Sequence, residues 1–519
     1  MPKMQQSKVY TLQLMRSLML AGFVSLVPTI DSAQAETLHL TFLHVNDVYE
    51  YAPRNGWGGL AELATLIDAE RVRNSNTLFT FGGDLLSPSI ASNMTKGRHM
   101  IEFMNALGAD AAVLGNHEFD FGAANLRERI GESKFPWLGA NVTYGGTGIP
   151  GVLPHIIRDM GGVKVGLFGI LTAETSHLAA DPRLTLEPEI SKSHEMVAKL
   201  RHEGADIVVA ITHLDLAQDL RLAREVKGVD LILGGHDHDP AGMVENGVLV
   251  LRAGSDAHWL AVIDLLVDKT AGEGAVRIRP PEWRFLSTAG IAASPRLAGL
   301  VRKHDDAMGG ALSQPLGRLT TPIDSRTALV RSEETAIGNL FADALRSRLA
   351  SDVALINGGG FRANRQYPAG TALTLRDLLA EMPFGNIVVA VEVSGAQILE
   401  LLEHGLAAIE NKAGRFPQIS GMTVTYDPKA PPGKRVGTVT IGGRPLDRIA
   451  NYRLATTDYL ARGGDGYSAL PRARVLVDAA GGPLLANVVA DFITQHHAIA
   501  PKVDGRLKPI TGADGHRKE

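Results

Sequence analysis

The chain has 519 residues, no cysteine and a formal net charge of −4. The lack of cysteine excludes a disulfide framework and a thiolate metal site, so burial of apolar side chains has to stabilise the fold. The acidic balance argues against nonspecific nucleic-acid binding, which a strongly basic chain would favour. A chain of this length is too large for one core, which predicts two domains or more.

The first 35 residues have the pattern of an export signal. Three basic residues precede an apolar run over residues 18–27, and Ala33-Gln34-Ala35 fits the small-x-small pattern that signal peptidase cleaves. The run is shorter than the about 20 residues that a membrane-spanning helix needs. We predict a signal peptide over residues 1–35, cleavage after Ala35 and a periplasmic or secreted product without a membrane anchor. Removing the net +2 of this segment takes the formal charge from −4 to −6 for the remaining 484 residues.

The next region has the rhythm of a layered α/β domain. Between residues 38 and 267, short β-type apolar runs alternate with helical stretches such as 59–73 and 191–203. Residues 281–290 lack a regular pattern and are predicted to be irregular. A polar helix is predicted over 294–312, with a proline at a tolerated N-terminal position and two glycines near its end. We interpret this helix as a linker.

A second region follows the linker with elements of its own. A helix is predicted over 335–349, strands near Val353 and Ile387, and further β-type segments over 422–426 and 436–441. This pattern predicts a separate α/β domain. The resulting division is residues 36–290 for the first domain, 291–315 for the linker and 316–510 for the second domain.

Five apolar strand-like runs in the first region end directly before residues of metal-ligand type. A single Asp or His after a strand is more often a cap or a satisfied histidine, but five in one region favour a site. Since ligands bind at the carboxyl ends of strands in such sheets, the five loops should converge. The segments are Asn46-Asp47, Gly82-Gly83-Asp84, Gly115-Asn116-His117, His213 and Gly234-Gly235-His236-Asp237-His238.

The composition of these segments indicates which ions they would bind. The glycine pairs before Asp84 and His236 allow sharp turns and bring side chains close to an ion, although turn formation alone would also explain them. Carboxylate, amide and imidazole groups together suit divalent ions such as zinc or manganese. The sequence therefore predicts an open, catalytic metal site.

These residues resemble the metallo-dependent phosphatases, and among them the secreted 5′-nucleotidases and UDP-sugar hydrolases, over nearly the whole predicted mature chain. The resemblance implies an α/β protein with an N-terminal layered β-sandwich metallophosphatase domain flanked by helices and a C-terminal α/β nucleotide-binding domain. It also implies two divalent metal ions, zinc, manganese or similar, about 3.5 to 4 Å apart on either side of an in-line displacement. By this resemblance Asp84 bridges the ions, Asp47 and His238 bind the first ion, and Asn116, His213 and His236 bind the second.

The motif Gly115-Asn116-His117-Glu118-Phe119-Asp120 is the most specific one in the first region. In the family its histidine and aspartate form a catalytic pair. The resemblance therefore implies that His117 stabilises charge on the phosphoryl and leaving groups, while Asp120 orients the imidazole.

The first metal motif departs from the family pattern. The family usually has Asp-x-His, whereas this sequence has Asp47-Val48-Tyr49, and a neutral phenol is a poor ligand. Three arrangements stay open: Asp47, Asp84, His238 and water hold the first ion; Glu50 substitutes; or Tyr49 binds as phenolate. Because a catalytic metal tolerates an open position, we predict that the first ion binds more weakly than the second.

The second region contains a glycine-rich motif that ends in arginine, Asn357-Gly358-Gly359-Gly360-Phe361-Arg362. Its glycines permit close approach of a ligand, and the guanidinium fork of Arg362 fits a phosphate or carboxylate. Glycine-rich turns are common, so the motif alone is a weak indication. The resemblance assigns Asn357, Arg362 and also Arg331 to the substrate pocket, where two cationic groups would face a dianion.

Two aromatic residues, Phe384 and Tyr459, match the family's pair that sandwiches the nucleobase, with core packing as the alternative. Tyr459 replaces the usual phenylalanine. Asp465 in the Gly463-Gly464-Asp465-Gly466-Tyr467 motif matches an aspartate that hydrogen-bonds the ribose, with a simple turn as the alternative. Asn386 and Gly414 match further pocket positions.

The sequence as a whole predicts hydrolysis of nucleoside 5′-monophosphates at a site shared between two domains, with a hinge at the linker. The alternatives with the same metals are 2′,3′-cyclic nucleotides, UDP-sugars, NAD or thiosulfate-type esters, the last disfavoured by the stacking pair. An exported nucleotide-binding protein without catalysis is disfavoured by His117 and Asp120. The predicted partner is a nucleotide substrate, with no nucleic acid and no obligate protein partner.

Overall fold

The computed structural model describes residues 36–510, except residues 55 and 174 and the segments 176–182 and 270–275. The predicted signal peptide lies outside the described residues. Within the described part of the chain, no helix is both long and apolar enough to cross a membrane.

The first region contains two large sheets and several helices. Its strands are β1 (Glu36–Val45), β2 (Thr77–Phe81), β3 (Ala111–Val113), β4 (Trp137–Leu138), β5 (Val142–Tyr144), β6 (Val152–Leu153), β7 (His155–Met160), β8 (Val163–Leu171), β9 (Leu184–Leu186), β10 (Ile207–His213), β11 (Leu231–Gly234), β12 (Pro240–Glu245), β13 (Val248–Ala253), β14 (Trp259–Lys269), β15 (Val276–Ile278) and β16 (Glu282–Ser287). Its helices are α1 (Leu60–Arg73), α2 (Ile90–Thr95), α3 (Arg98–Leu107), α4 (Gly122–Glu132), α5 (Glu189–His202), α6 (Leu216–Glu225) and α7 (Pro295–Ala311).

The two sheets of this region pack face to face. One has the order β15-β14-β1-β2-β3-β4-β6, with β16 also paired to β14, and the other has the order β12-β13-β11-β10-β8-β7. Apolar side chains from both sheets form one core between them, and a second core lies where α5 and α6 cover the outer face of the second sheet. Every residue of β10 is buried because both of its faces are covered. The predicted β-sandwich flanked by helices is confirmed.

One element of this region was not anticipated. The prediction that residues 281–290 are irregular is wrong, because residues 282–287 form β16, antiparallel to β14. Pro280 and Pro281 precede the strand, and none of its residues is fully buried. The sequence pattern that would predict a strand is therefore weak. Pairing with a distant strand decides its conformation.

The second region is built around a five-stranded sheet. Its strands are β17 (Pro315–Leu319), β18 (Ile323–Asp324), β19 (Val353–Asn357), β20 (Gln366–Tyr367), β21 (Ala372–Thr374), β22 (Val388–Ser394), β23 (Pro417–Ser420), β24 (Met422–Tyr426), β25 (Val436–Ile441), β26 (Arg444–Pro445), β27 (Asn451–Thr457), β28 (Arg474–Val477), β29 (Ala498–Ile499) and β30 (Leu507–Pro509). Its helices are α8 (Thr327–Val330), α9 (Ala336–Arg348), α10 (Leu375–Glu381), α11 (Gly395–Leu406), α12 (Asp458–Ala461) and α13 (Leu485–His496).

The central sheet of the second region has the order β23-β19-β27-β22-β28. A core that includes side chains of α9 and α13 lies on one face, and a core that includes α11 and β24 lies on the other. Strands β19 and β27 are parallel neighbours, so the loops that follow them emerge at the same edge. This arrangement brings Asn357, at the end of β19, close to the start of α12.

Helix α7, predicted over 294–312, is packed onto the first region. Leu297 is fully buried in the core of that region. The Tyr51 hydroxyl donates to Asp305 Oδ1 at 2.8 Å, and the Arg296 guanidinium donates to Asp68 Oδ1 at 3.0 Å. Any bending between the regions therefore has to occur beyond the part of α7 held by these contacts.

Candidate active site

The five predicted loops converge at one edge of the sandwich. Strands β1, β2 and β3 are parallel neighbours in one sheet, and β10 and β11 are parallel neighbours in the facing sheet. Asp47, Asp84 and His236 have positive φ angles of 52°, 61° and 78°. Non-glycine residues with such angles are uncommon and cluster at functional sites, because the surrounding structure has to hold them there.

The proposed ligands of the second ion form a compact, buried cluster. Single ligand atoms of Asp84, His213 and His236 all lie within 4.8 Å of one another. His213 Nε2 is 3.1 Å from Asp84 Oδ2 and 3.1 Å from Asn116 Oδ1. Asp84 Oδ2 therefore faces another proposed ligand, and His236 Nδ1 is buried without a hydrogen-bond partner among the described residues. Since buried polar atoms rarely lack a partner, this donor set fits a divalent cation.

Neighbouring groups fix the orientation of these ligands. His213 Nδ1 is 2.8 Å from the carbonyl oxygen of Gly82, which directs Nε2 toward Asp84. A Cβ added at Gly83 would lie 2.5 Å from His213 Nδ1, so only glycine allows this approach, and its φ is 90°. Burial favours the neutral form of His213, yet the charges of Asp84 and Asp47 raise its pKa to about 9. The same negative potential attracts a metal cation.

Glu118 is a buried supporting residue that the sequence analysis left without a role. Its carboxylate accepts hydrogen bonds from the backbone N–H groups of Asp84, Leu85 and Gly115 at 2.9, 2.6 and 2.6 Å, and from Leu86 at 3.3 Å. These bonds hold together the two loops that carry Asp84 and Asn116. Its position inside the Gly115–Asp120 motif was the available signal.

His117 and Asp120 form the predicted pair. His117 Nδ1 lies 2.8 Å from Asp120 Oδ2, and the two residues lie at the two ends of a single 3₁₀ turn. Burial disfavours a charged ring, but Asp120 and Asp84 raise the pKa of His117 to about 10, so the ring is protonated at neutral pH. Its Nε2 donates to the carbonyl oxygen of Ala480, in the second region, at 2.7 Å.

The proposed ligands of the first ion are arranged differently. The Tyr49 hydroxyl donates to Asp47 Oδ1 at 3.1 Å and lies 3.0 Å from His238 Nε2. Asp47 Oδ1 and His238 Nε2 are 3.6 Å apart. Burial, followed by the charges of Asp47 and Asp84, raises the pKa of Tyr49, which keeps the phenol neutral. The Glu50 carboxylate is 3.5 Å from the Arg54 guanidinium.

All eight residues predicted to bind substrate line one cavity of 620 Å³ in the second region. They are Arg331, Asn357, Arg362, Phe384, Asn386, Gly414, Tyr459 and Asp465. Arg331 Nε is buried without a hydrogen-bond partner among the described residues, which suits an anionic ligand. Asp458 and Arg462 also line the cavity but were not predicted. The available signal was the spacing of four between them at α12, where they form a 2.6 Å ion pair.

The aromatic pair is partly exposed at this cavity. Phe384 and Tyr459 are 55% and 41% exposed, unlike ordinary core aromatics. The Arg362 guanidinium lies over the Phe384 ring, 4.8 Å from its centroid. The Tyr459 hydroxyl donates to Asp465 Oδ1 at 2.9 Å, and Asn357 donates to Asp465 Oδ2 at 2.7 Å. Asp465 thus joins the loops after β19 and β27.

A second cavity, of 280 Å³, lies between the two regions. It is lined by Tyr49, His117 and His238 from the metal centre and by residues of the second region. Four residues line both cavities: Gly385, Asn386, Asp458 and Arg462. The first cavity therefore adjoins the proposed metal centre through these shared residues.

Comparison with known proteins assigns the two regions to two kinds of domain. The sequence model of the calcineurin-like phosphoesterases matches residues 40–240, and that of the 5′-nucleotidase C-terminal domain matches residues 315–472. The snake venom 5′-nucleotidase of Gloydius brevicauda is 30% identical over 532 residues, which cover 92% of this chain and 90% of the relative.

Solved structures agree with this result. The 5′-nucleotidase precursor from Thermus thermophilus is 27% identical with a TM-score of 0.54, covering 91% of this chain and 99% of that chain. The NAD nucleotidase of Haemophilus influenzae has the same fold, with a TM-score of 0.79 at 20% identity, covering 91% and 99%. The chain therefore belongs to the 5′-nucleotidase family and is a metal-dependent phosphoesterase.

Proposed function

We propose that this enzyme, which hydrolyses nucleotide phosphoesters, acts chiefly on nucleoside 5′-monophosphates and releases the nucleoside and phosphate. The observation that carries the proposal is the substrate cavity: all eight residues matched to the family's pocket line it, and it adjoins the cavity that reaches His117. A basic, partly aromatic pocket next to a metal centre suits a ligand with a base at one end and a phosphate at the other.

Two divalent ions, zinc, manganese or similar, complete the proposal. Asp84, Asn116, His213 and His236 would hold one ion, and Asp47, Asp84 and His238 the other. When bound, the ions polarise the phosphoryl group and lower the pKa of the attacking water. His117 Nε2 lies 3.9 Å from Asp84 Oδ2, so its protonated ring would stand beside a phosphate bound at the ions and would stabilise charge on the leaving oxygen. Asp120 holds Nδ1 of that ring.

The second region would select the nucleotide. Phe384 and Tyr459 offer aromatic faces for stacking on a base, which works for any base because each has a π face. Asp465, with one carboxylate oxygen bonded to each of Tyr459 and Asn357, is placed to accept from the ribose hydroxyls. Arg331 and Arg362 supply positive charge for the phosphate.

We further propose that the two regions move relative to each other during turnover. His117 Nε2 is bonded to the carbonyl oxygen of Ala480, so a phosphate that approaches His117 has to displace this carbonyl. A disulfide engineered across the two regions should abolish turnover, and reduction should restore it. Full activity of the locked protein would contradict the movement.

The function is tested by phosphate release from AMP with manganese or zinc. We expect His117→Ala to lower kcat by about 10²- to 10³-fold, the usual cost of one charge-stabilising group. His39→Ala is a matched control, because His39 is a surface histidine paired with Asp264. Equal rates for wild type and His117→Ala would refute the assignment of His117.

The second candidate function is hydrolysis of nucleotide phosphoesters other than 5′-monophosphates. Arg462 lines both cavities, and its side chain is 70% exposed, so it could meet a phosphate beyond the first one. ADP, UDP-glucose, NAD and 2′,3′-cyclic AMP are the substrates to compare with AMP. A higher kcat/KM for one of them than for AMP would replace the monophosphate assignment.

We also propose export of this enzyme after cleavage behind Ala35, and a division into residues 36–290, 291–315 and 316–510. N-terminal sequencing of the exported protein should then begin at Glu36. A cytoplasmic protein with an intact N-terminus would contradict export. Limited proteolysis should cut first at the exposed residues 313–315, beyond α7, and leave two resistant fragments. A first cut inside either fragment would contradict these boundaries.

A further inference from the structure

Behind the proposed second-ion site lies a buried arginine that contacts neither the site ligands nor the substrate cavity. Arg252, near the end of β13, is only 1% exposed. Its guanidinium donates to Asp219 Oδ2 at 2.5 Å, to a carboxylate oxygen of Asp237, and to the carbonyl oxygen of Leu214 at 3.1 Å. A charged group in such surroundings needs several partners, because burial removes its hydration.

Leu214 and Asp237 belong to segments that carry proposed ligands, and Asp219, in α6, is bonded to one of these segments. Leu214 follows His213 directly, and Thr212, just before it, donates to Asp219 Oδ1 at 2.7 Å. Asp237 stands between His236 and His238 in the sequence. One guanidinium thus connects the segment of His213, the start of α6 and the loop of two further histidines.

Two other contacts tighten the same junction. Asp237 Oδ2 also accepts from the backbone N–H of Leu216, at the first residue of α6, at 2.7 Å. A Cβ at Gly234 would clash with Asp219 Oδ2 and lie 3.2 Å from Arg252 Nη2, so the loop passes against this ion pair. The ladder between β10 and β11 ends at Thr212 and Gly234. Beyond it, Arg252 connects the segments that follow the two strands.

We propose that Arg252 is a positioning residue for the second-ion site: with Asp219 and Asp237, it holds His213 and His236 at the separation that lets both bind one cation. The planar fork is essential to this role, because two of its nitrogens reach carboxylates on different segments at once. A lysine has one ammonium group and cannot reproduce that geometry. This inference rests on the ligand set of the proposed function.

The test measures metal binding directly. Wild type and Arg252→Lys, both stripped of metal, are titrated with Mn²⁺ by calorimetry. We expect Arg252→Lys to weaken the tighter Mn²⁺ site about 10- to 100-fold, the usual effect of losing a group that orients metal ligands. Excess Mn²⁺ should recover much of the kcat for AMP, since the catalytic groups are intact.

A second buried arginine in the same region provides the matched control. Arg129 is 2% exposed and pairs with Glu128 and Glu132, with further bonds to the carbonyl oxygens of Thr95 and Lys96. None of these partners belongs to a ligand-bearing segment. Arg129→Lys should lower the denaturant midpoint and leave the Mn²⁺ affinity within about twofold of wild type. Equal loss of affinity in both variants would reduce Arg252 to a structural role and overturn the proposal.

Asp237→Asn keeps the test decisive if Arg252→Lys does not fold, because the Asp237 side chain is 39% exposed and tolerates change better. It should weaken Mn²⁺ binding by about fivefold or more. Affinity equal to that of wild type in the folded variants would overturn the positioning role while leaving nucleotide hydrolysis in place. If the wild type has no tight Mn²⁺ site, both the positioning role and the proposed function are overturned. If the variants bind Mn²⁺ more weakly but the wild type does not hydrolyse nucleotides, only the proposed function is overturned.

Discussion

The two halves of the proposed metal centre differ in how their polar atoms are satisfied. In the second-ion half, His236 Nδ1 is buried with no hydrogen-bond partner among the described residues, and Asp84 Oδ2 lies 3.1 Å from Nε2 of His213, another proposed ligand. In the first-ion half, the Tyr49 hydroxyl is bonded to both Asp47 and His238. One half thus needs a cation to compensate its buried groups, and the other already has an internal partner.

Tyr49 replaces the histidine that the family uses as a ligand, and its hydroxyl occupies Asp47 and His238 with hydrogen bonds. An unsatisfied buried polar group costs about 1 to 3 kcal/mol, so a cation that binds the second-ion half also removes that cost. A cation in the first-ion half has to break two hydrogen bonds of Tyr49 or accept a neutral phenol as a neighbour. Unequal affinities for the two ions follow from this contrast.

The greatest loss of activity is expected from a substitution that weakens both proposed ion sites at once. Asp84→Asn should lower kcat/KM for AMP by about 10³-fold or more, because bound metal contributes several kcal/mol and Asp84 is the proposed ligand of both ions. Phosphate release and metal content are the measurements. Asp68→Asn, on the surface of α1, should behave as wild type. An Asp84→Asn variant that still binds two ions and hydrolyses AMP at a near-normal rate would contradict the assignment of Asp84 to both ion sites.

Two single substitutions, one in each half of the proposed metal centre, distinguish the contributions of the two ion sites. His236→Ala should lower kcat more than His238→Ala, by about tenfold, because His236 Nδ1 has no hydrogen-bond partner among the described residues, whereas His238 is held by Tyr49. Calorimetry with Mn²⁺ should show loss of the tight site in His236→Ala and its survival in His238→Ala. The reverse order of effects would show that the first-ion half is the stronger one.

A substitution in the substrate cavity, away from both proposed ion sites, tests whether nucleotide binding and metal binding are separate. Phe384→Ala should raise KM for AMP about tenfold, since stacking of a base on an aromatic ring contributes about 1 to 3 kcal/mol. Metal affinity should not change, because Phe384 lies in the substrate cavity. A change in Mn²⁺ binding would mean that the cavity and the metal centre are not separate.

The smallest expected effect restores the family pattern. Tyr49→His should raise the affinity of the weaker ion several-fold, because an imidazole is a good ligand and the two hydrogen bonds of the phenol disappear. Tyr49→Phe serves as the control, since it removes the hydrogen bonds without supplying a ligand. If both variants leave the weaker affinity unchanged, Tyr49 does not determine it.

The positions of most proposed site residues were predictable from the sequence. His213 ends a buried strand, and Asp47 and Asp84 lie two and three residues after the ends of β1 and β2. Parallel strands bring their carboxyl ends to one edge. The contact of Tyr49 with His238 was not predictable, because it depends on the spacing of loops from two facing sheets. Strand β16 was missed because its pairing partner, β14, decides its conformation.

The supporting groups were the least predictable part. Arg252 is an arginine next to an apolar strand run, and only the folded arrangement shows that Asp219 and Asp237 approach it from two other segments. Glu118 lies within the recognised motif, but its four backbone partners come from two loops. Such roles depend on long-range geometry, which local sequence patterns do not encode.

The most direct test is phosphate release from AMP during Mn²⁺ titration of the metal-stripped protein. We expect no release without added metal and two binding events of unequal affinity, with hydrolysis rising as the ions bind. Release that is independent of metal, or no release at saturating metal, would contradict a metal-dependent nucleotide phosphoesterase. Two ions bound with equal, tight affinity would contradict the contrast between the two halves.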